Sequence, residues 1–208
     1  MRLPLNTLII GLVSLLVLTA CDRSRPPEVE PGARVTDAGL EELERGARGL
    51  RLTGDLDAML ERGYIRILVP YSKTFFFYEG AKPRGLAYEF MEAFAKTLRK
   101  SHGATPGGLT LLYLPTRREQ LIPGIAEGLG DIAIAGLTAT DDRKHLVDFV
   151  THASNPVAEV VVTGPDAPRL ESLEDLSGQR VLVRKSSSYY ESLQELNARL
   201  RSSGKGAV

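Results

Sequence analysis

The segment Gly130–Phe149, GDIAIAGLTATDDRKHLVDF, constrains this chain more than any other. Asp131–Ala135 is a short apolar run with glycine on both sides, the pattern of a buried parallel strand. In Gly136–Arg143 the strand stops and hydroxyls collect. A helix is predicted there, with Thr140 as N-cap and Asp141 and Asp142 in its first turn. A short half-apolar run, His145–Phe149, closes the segment. Open α/β sheets bind ligands just past the carboxyl ends of their strands. At such a place this segment sets a hydroxyl, backbone N–H groups and an arginine, a set suited to a carboxylate.

The elements before it repeat the same alternation. Asp55 is placed to cap a short helix, Leu56–Arg62, that ends at Gly63. Tyr64–Val69 reads as a strand stopped by Pro70. Thr74–Tyr78 is aromatic and β-prone, and the turn Glu79–Gly85 makes it one arm of a hairpin lip. Alternation sets Phe75 and Phe77 on one face, Phe76 and Tyr78 on the other. Over Ala87–Lys100, the residues Ala87, Phe90, Met91, Phe94, Ala95 and Leu98 form one apolar stripe at helical period. Leu109–Leu114 is a second strand, ended by Pro115. Thr116–Glu119 reads as a capping box for a helix running to about Glu127, with Leu121, Ile122 and Ile125 inward. Strand, helix, strand, helix, strand implies an α/β fold with a parallel sheet and right-handed crossovers.

Beyond Phe149, Val157–Thr163 and Arg180–Arg184 read as further strands, and Ser172–Asp175 as a helical turn closed by Gly178. Ser186, Ser187 and Ser188 precede a helix with Tyr189, Leu193, Leu196 and Leu200 on one face. This is a second hydroxyl-rich turn at a helix N-terminus, suited either to an anion or to plain capping.

The N-terminus reads as a targeting segment. Arg2 supplies a positive start and Leu8–Leu18 an apolar stretch, shorter than the roughly 20 residues that span a bilayer. Leu18-Thr19-Ala20-Cys21 follows, and Cys21 is the only cysteine, so no disulfide within the chain is possible. Residues 22–54 read as a tether or leader. Asp22–Val35 is rich in Pro and Arg and poor in apolar residues, while Leu40–Leu50 is either an extended spacer or a short helix.

Composition narrows the function classes. A net charge of +0 gives no reason to expect nucleic acid or an anionic membrane surface. His102, His145 and His152 have no metal-ligand spacing, Gly204-Lys205 lacks the rest of a phosphate loop, and no Gly-x-Ser-x-Gly elbow occurs. No metal, cofactor or catalytic residue is expected.

The run DIAIAGLTATDDRK with the following VDF resembles the signature of family 3 extracellular solute-binding proteins, and the resemblance extends from about Asp55 to Leu200. It implies a periplasmic binding protein-like fold of type II. Lobe 1 (55–150) would be mostly present and lobe 2 (157–208) incomplete, the chain being read as truncated. It implies that Thr138 and Arg143 grip the α-carboxylate of an amino acid, with Gly136 at the strand end. From lobe 2, the serine turn, assigned to Ser187 and Ser188, would touch the ligand, although Arg184-Lys185 stands where the family has Gly. An aromatic of the lip, assigned to Phe76, would line the cleft. The Leu-Thr-Ala-Cys run resembles a bacterial lipobox, which implies that Cys21, the last residue of the 1–21 signal segment, is lipidated and becomes the mature N-terminus. The implied product is a periplasmic, membrane-anchored lipoprotein, partnered by a small-molecule ligand and by an ABC transporter permease or cell-wall machinery. The stretches Leu40–Arg62, Leu114–Pro123 and Val183–Tyr190 are also similar to the N-terminal part of membrane-bound lytic murein transglycosylases of the F type. By that resemblance the ligand is a cell-wall peptide and the lysozyme-like catalytic domain lies outside these residues.

Overall fold

A computed structural model describes residues 37–102, 108–151 and 158–208. Cys21, the leader before residue 37 and His152 lie outside the described residues. The structure is built on a three-stranded parallel sheet in the order β4-β1-β5, with β1 Tyr64–Val69 central, β4 Thr110–Pro115 on one side and β5 Ile132–Ala133 on the other. Tyr64 is in register with Thr110 and Val69 with Pro115, while Ile67 and Leu68 face Ile132 and Ala133. The expected third strand is thus present but pairs over two residues only.

Every residue of β1 is buried, as a central parallel strand requires. Its alternating side chains feed two separate cores. Ile65, Ile67 and Val69 join Leu111 and Tyr113 of β4 under helix α3, Leu86–Ser101, through Ala87, Met91, Ala95 and Leu98. Helix α2, Leu56–Glu61, adds Leu56, Met59 and Leu60, and its N-cap Asp55 accepts a hydrogen bond from the Leu56 N–H at 2.7 Å. On the opposite face Leu68 and Leu114 pack on Leu121 of α4, Leu121–Ala126, and Tyr64 and Leu112 pack on Leu43 and Ala47 of α1, Asp37–Ala47. Of the two readings of Leu40–Leu50, the structure has the helix, and that helix is docked on the sheet.

Arg66 is the exception in β1, a charged side chain with no exposed surface. Its guanidinium meets Asp131, with Nη2 to Oδ1 at 2.8 Å and Nε to Oδ2 at 3.2 Å. It also donates to the backbone oxygens of Leu50 at 2.7 Å and Leu52 at 3.1 Å. Asp131 further accepts from the Arg66 backbone N–H at 2.7 Å and pairs with Arg62. Buried charge persists only when paired and hydrogen-bonded. Asp131 therefore acts as a rivet joining the strand before the site, the central strand and the segment after α1. Just ahead of it, a Cβ on Gly130 would come within 2.4 Å of Leu68 Cγ, so that close approach requires glycine.

Three local expectations are corrected. Phe90 and Phe94 of the α3 stripe are exposed, at 65% and 38%, because the sheet is narrow enough that only the Ala87, Met91, Ala95 and Leu98 line meets it. The Thr116 hydroxyl donates back to Leu114 O at 2.8 Å and makes no capping box, and a 3-10 turn, Arg118–Gln120, precedes α4. No strand is assigned at 158–163 or at 180–184. The hairpin is present, as β2 Phe77–Glu79 against β3 Lys82–Arg84. The remaining helices are the four-residue α5, Asp141–Lys144, a 3-10 turn Leu173–Leu176, and α6, Ser188–Ser202. Leu176, Leu196 and Leu200 form a small core there, packed by Leu170, Val181, Leu193 and Val208.

Candidate functional site

The carboxyl end of β5 and the N-terminus of α6 face one another across a cavity of about 310 Å³. After β5 the chain turns at Gly136, whose φ of +55° lies in the left-handed region that favours glycine. That turn aims Thr138 and the start of α5 into the cavity. Thr140 is the N-cap of α5, as expected, yet its buried Oγ1 has no hydrogen-bond partner among the described residues. The Thr140 backbone oxygen instead begins the helix by accepting from Lys144 N at 3.0 Å.

Arg143 is drawn inward from this turn and is only 8% exposed. Its Nη1 donates to Thr138 O at 3.4 Å and its Nη2 to Ser186 O at 3.2 Å. Nε and Nη2 both donate to Glu191 Oε1, at 3.0 and 2.8 Å. The Ser188 hydroxyl donates to Thr138 Oγ1 at 3.1 Å. Ser187 is the N-cap of α6, but its hydroxyl donates to Arg184 O at 2.6 Å, leaving the first N–H groups of α6 without a side-chain cap. The structure therefore brings Gly136, Thr138, Arg143, Ser187 and Ser188 to one cavity.

Phe76 is not among them. It is fully buried, stacked on Tyr113 with centroids 5.0 Å apart, and belongs to the α3 core. Its neighbour Phe75 sits in the turn before it and is only partly buried, at the edge of the same core. The Phe75 ring lies 5.6 Å below the Arg118 guanidinium, and a Cβ on Gly136 would stand 3.5 Å from its Cζ. Phe75 thus lies behind Arg118, and the aromatic that lines the cavity itself is Tyr189.

Arg118 and Glu191 were not singled out by sequence. Arg118 donates to Gly136 O at 3.1 Å, which braces the strand-end turn. Partial burial holds its guanidinium below its ordinary range, and the positive charges of Arg184 and Arg143 add to that. The cavity wall carries both signs: Arg118, Arg143 and Arg184 with Glu119, Asp142 and Glu191, beside the apolar Ile122, Leu137 and Leu146. Such a lining matches a small zwitterion with an apolar part. Among the described residues, no group of three or more His, Cys, Asp or Glu side chains is arranged to hold a metal ion. His102 and His145 are exposed. No helix among the described residues is long and apolar enough to cross a membrane.

Comparison with known proteins bears on the family and the fold. Residues 65–207 match the family of bacterial extracellular solute-binding proteins, family 3. The chain is 28% identical over 144 residues to membrane-bound lytic murein transglycosylase F 1 of Alkalilimnicola ehrlichii, covering 69% of this chain and 27% of that protein. It is 29% identical over 143 residues to membrane-bound lytic murein transglycosylase F of Stutzerimonas stutzeri, covering 68% and 28%. It thus spans about a quarter of the length of these relatives. Among solved structures, an ancestral arginine-binding protein bound to arginine superposes with a TM-score of 0.50 at 28% identity, over 66% of this chain and 57% of that one.

Proposed function

The chain belongs to the bacterial extracellular solute-binding proteins of family 3, and on that premise we propose that it binds a small amino acid or a cell-wall peptide by its carboxylate. The observation that carries this reading is the buried Arg143 beside Thr138 at a strand end, already engaged with a carboxylate oxygen of Glu191. A planar guanidinium donates two parallel N–H bonds to such a group, which a point-charge lysine does not match. Thr138 adds a hydroxyl on the strand side. Ser187, Ser188 and the uncapped N–H groups of α6 supply the opposite wall. Closing two walls on one ligand is a population shift toward the state in which both touch it.

A second reading concerns context. The similarity to two membrane-bound lytic murein transglycosylases favours a binding region that regulates a glycan-cleaving domain, with a cell-wall peptide as ligand. The binding region itself is of the non-catalytic, solute-binding type. We place it outside the cytoplasmic membrane, held by a lipid on Cys21, with an ABC transporter permease or cell-wall machinery as partner. Replacing Cys21 by Ser should release the protein from membranes, and unchanged fractionation would contradict the anchor.

A thermal-shift panel of the twenty L-amino acids and of cell-wall tri- and tetrapeptides tests the binding role. At least one compound should raise the unfolding midpoint saturably, since a ligand at 100 times its Kd stabilises by about 2.7 kcal/mol. Arg143→Ala should weaken that binding by about 2–5 kcal/mol. A shift that survives undiminished in Arg143→Ala, or no shift at millimolar ligand, would overturn the assignment.

A further inference from the structure

We propose that Glu191 is a built-in competitor for the ligand's carboxylate, a residue that sets which ligands this site accepts. This inference rests on the carboxylate-binding role of Arg143 given above. The Nε and Nη2 edge of Arg143, one of the two edges that can hold a carboxylate bidentately, is taken by Glu191 Oε1 at 3.0 and 2.8 Å. The other two contacts of the guanidinium go to Ser186 O and Thr138 O. The Thr138 hydroxyl accepts from Ser188, which leaves its own O–H to donate to a ligand. Of the two groups that would grip a ligand from the sheet side, the Arg143 guanidinium is therefore the one occupied by an acid of α6. The carboxylate of Glu191 stands where the ligand's would.

Two features make this contact reversible. Glu191 is about one-third exposed, at 35%, against 9% for the Arg143 side chain, so its carboxylate can withdraw into water while the arginine stays in place. It also lies in the first turn of α6, where the helix macrodipole favours a negative charge whether or not Arg143 is paired. A ligand carboxylate entering the cavity must displace Glu191. The displaced Glu191 then faces the ligand from the wall. There it attracts an ammonium and repels a second carboxylate, so the site prefers ligands with one carboxylate to those with two.

The test uses the 208-residue chain with Glu191→Gln, and acetate, L-arginine and L-glutamate as probes. The first readout is the ¹H–¹⁵N signal of Arg143 Nε–H in the ligand-free protein. Glu191→Gln should move it. Acetate should then bind at Arg143 on the order of tenfold more tightly than in the wild type, the gain expected when one charge-assisted hydrogen-bonded competitor is lost. L-Glutamate should gain more than L-arginine. Glu191→Asp, which shortens the side chain, should change acetate binding in the same direction and covers the case in which the Gln variant folds poorly. An unmoved Nε–H signal, or a moved signal with unchanged acetate affinity, would overturn the competitor role. The two readings fail separately. If Arg143→Ala leaves amino-acid binding intact, the carboxylate role of Arg143 falls and the competitor role falls with it. If Arg143→Ala abolishes binding and Glu191→Gln changes nothing, the competitor role alone falls.

Discussion

Two regions of this chain treat similar residues in opposite ways. In the sheet region the central strand buries even an arginine, because Asp131 and two backbone oxygens meet its guanidinium. In the region after residue 158, Val160, Val162 and Leu182 are 79%, 89% and 92% exposed, though they sit in β-prone runs. Residue type alone therefore does not decide burial here. A strand is stable when its N–H and C=O groups find a ladder partner and its faces find a cover. β1 has neighbours on both edges and helices on both faces, whereas no described residue pairs with 158–163 or 180–184. A largely apolar groove of about 780 Å³ lies along those segments and α6, larger than the candidate site and edged by Glu159, Arg180, Glu195 and Arg199.

Substitutions in the two regions break or sharpen that contrast. Asp131→Ala should cost the most, about 3–5 kcal/mol in denaturant unfolding, because it strands Arg66 and unpairs Arg62. A loss under 1 kcal/mol would show that the rivet is not what holds β1, β5 and the post-α1 segment together. Leu121→Ala, under α4, should cost about 2–5 kcal/mol, with Leu200→Ala at the low end of that range because its small cluster can collapse around the gap. Equal costs at the two sites would erase the distinction between the regions. On the sheet side an alkaline pH effect comes from Tyr113. Burial first, then Glu92 and Tyr88, push the Tyr113 phenol well above its ordinary 10.0. Its folded pKa is raised, so its contribution is intact below about pH 10 and falls as pH climbs from there toward the folded value. Tyr113→Phe should flatten that alkaline decline in unfolding free energy, and an unchanged decline would assign it elsewhere. The smallest change belongs to Leu182→Ser, within about 0.5 kcal/mol of the parent. A loss of several kcal/mol there would mean that the exposed run is covered in solution.

Much of the sheet region was legible in sequence. Tyr64–Val69 is a strand with those bounds, Asp55 caps α2, and Thr138 and Arg143 meet at the strand end. These are local signals: an apolar run, a capping residue, a five-residue spacing across one turn. What escaped is mostly non-local. Arg66 in a wholly apolar strand asks for a buried acid, but only the fold says that Asp131 answers. The run of aromatics from Phe75 to Tyr78 does not say which ring enters the core, and the ring stacked on Tyr113 turned out to be Phe76. Glu191 drew no attention because an acid in the first helical turn is already explained by the macrodipole. Val157–Thr163 and Arg180–Arg184 carry β propensity, and propensity reports fit to a pleated surface rather than the presence of one.

The central claim is that Arg143 holds a carboxylate of the ligand. The most direct measurement is calorimetric titration of the best amino acid from the panel against its C-terminal amide, in the wild type and in Arg143→Ala. The amide should bind the wild type at least tenfold more weakly than the acid, and the two should become indistinguishable in Arg143→Ala. An amide that binds the wild type as tightly as the acid, or an acid preference that persists without the arginine, would contradict the account.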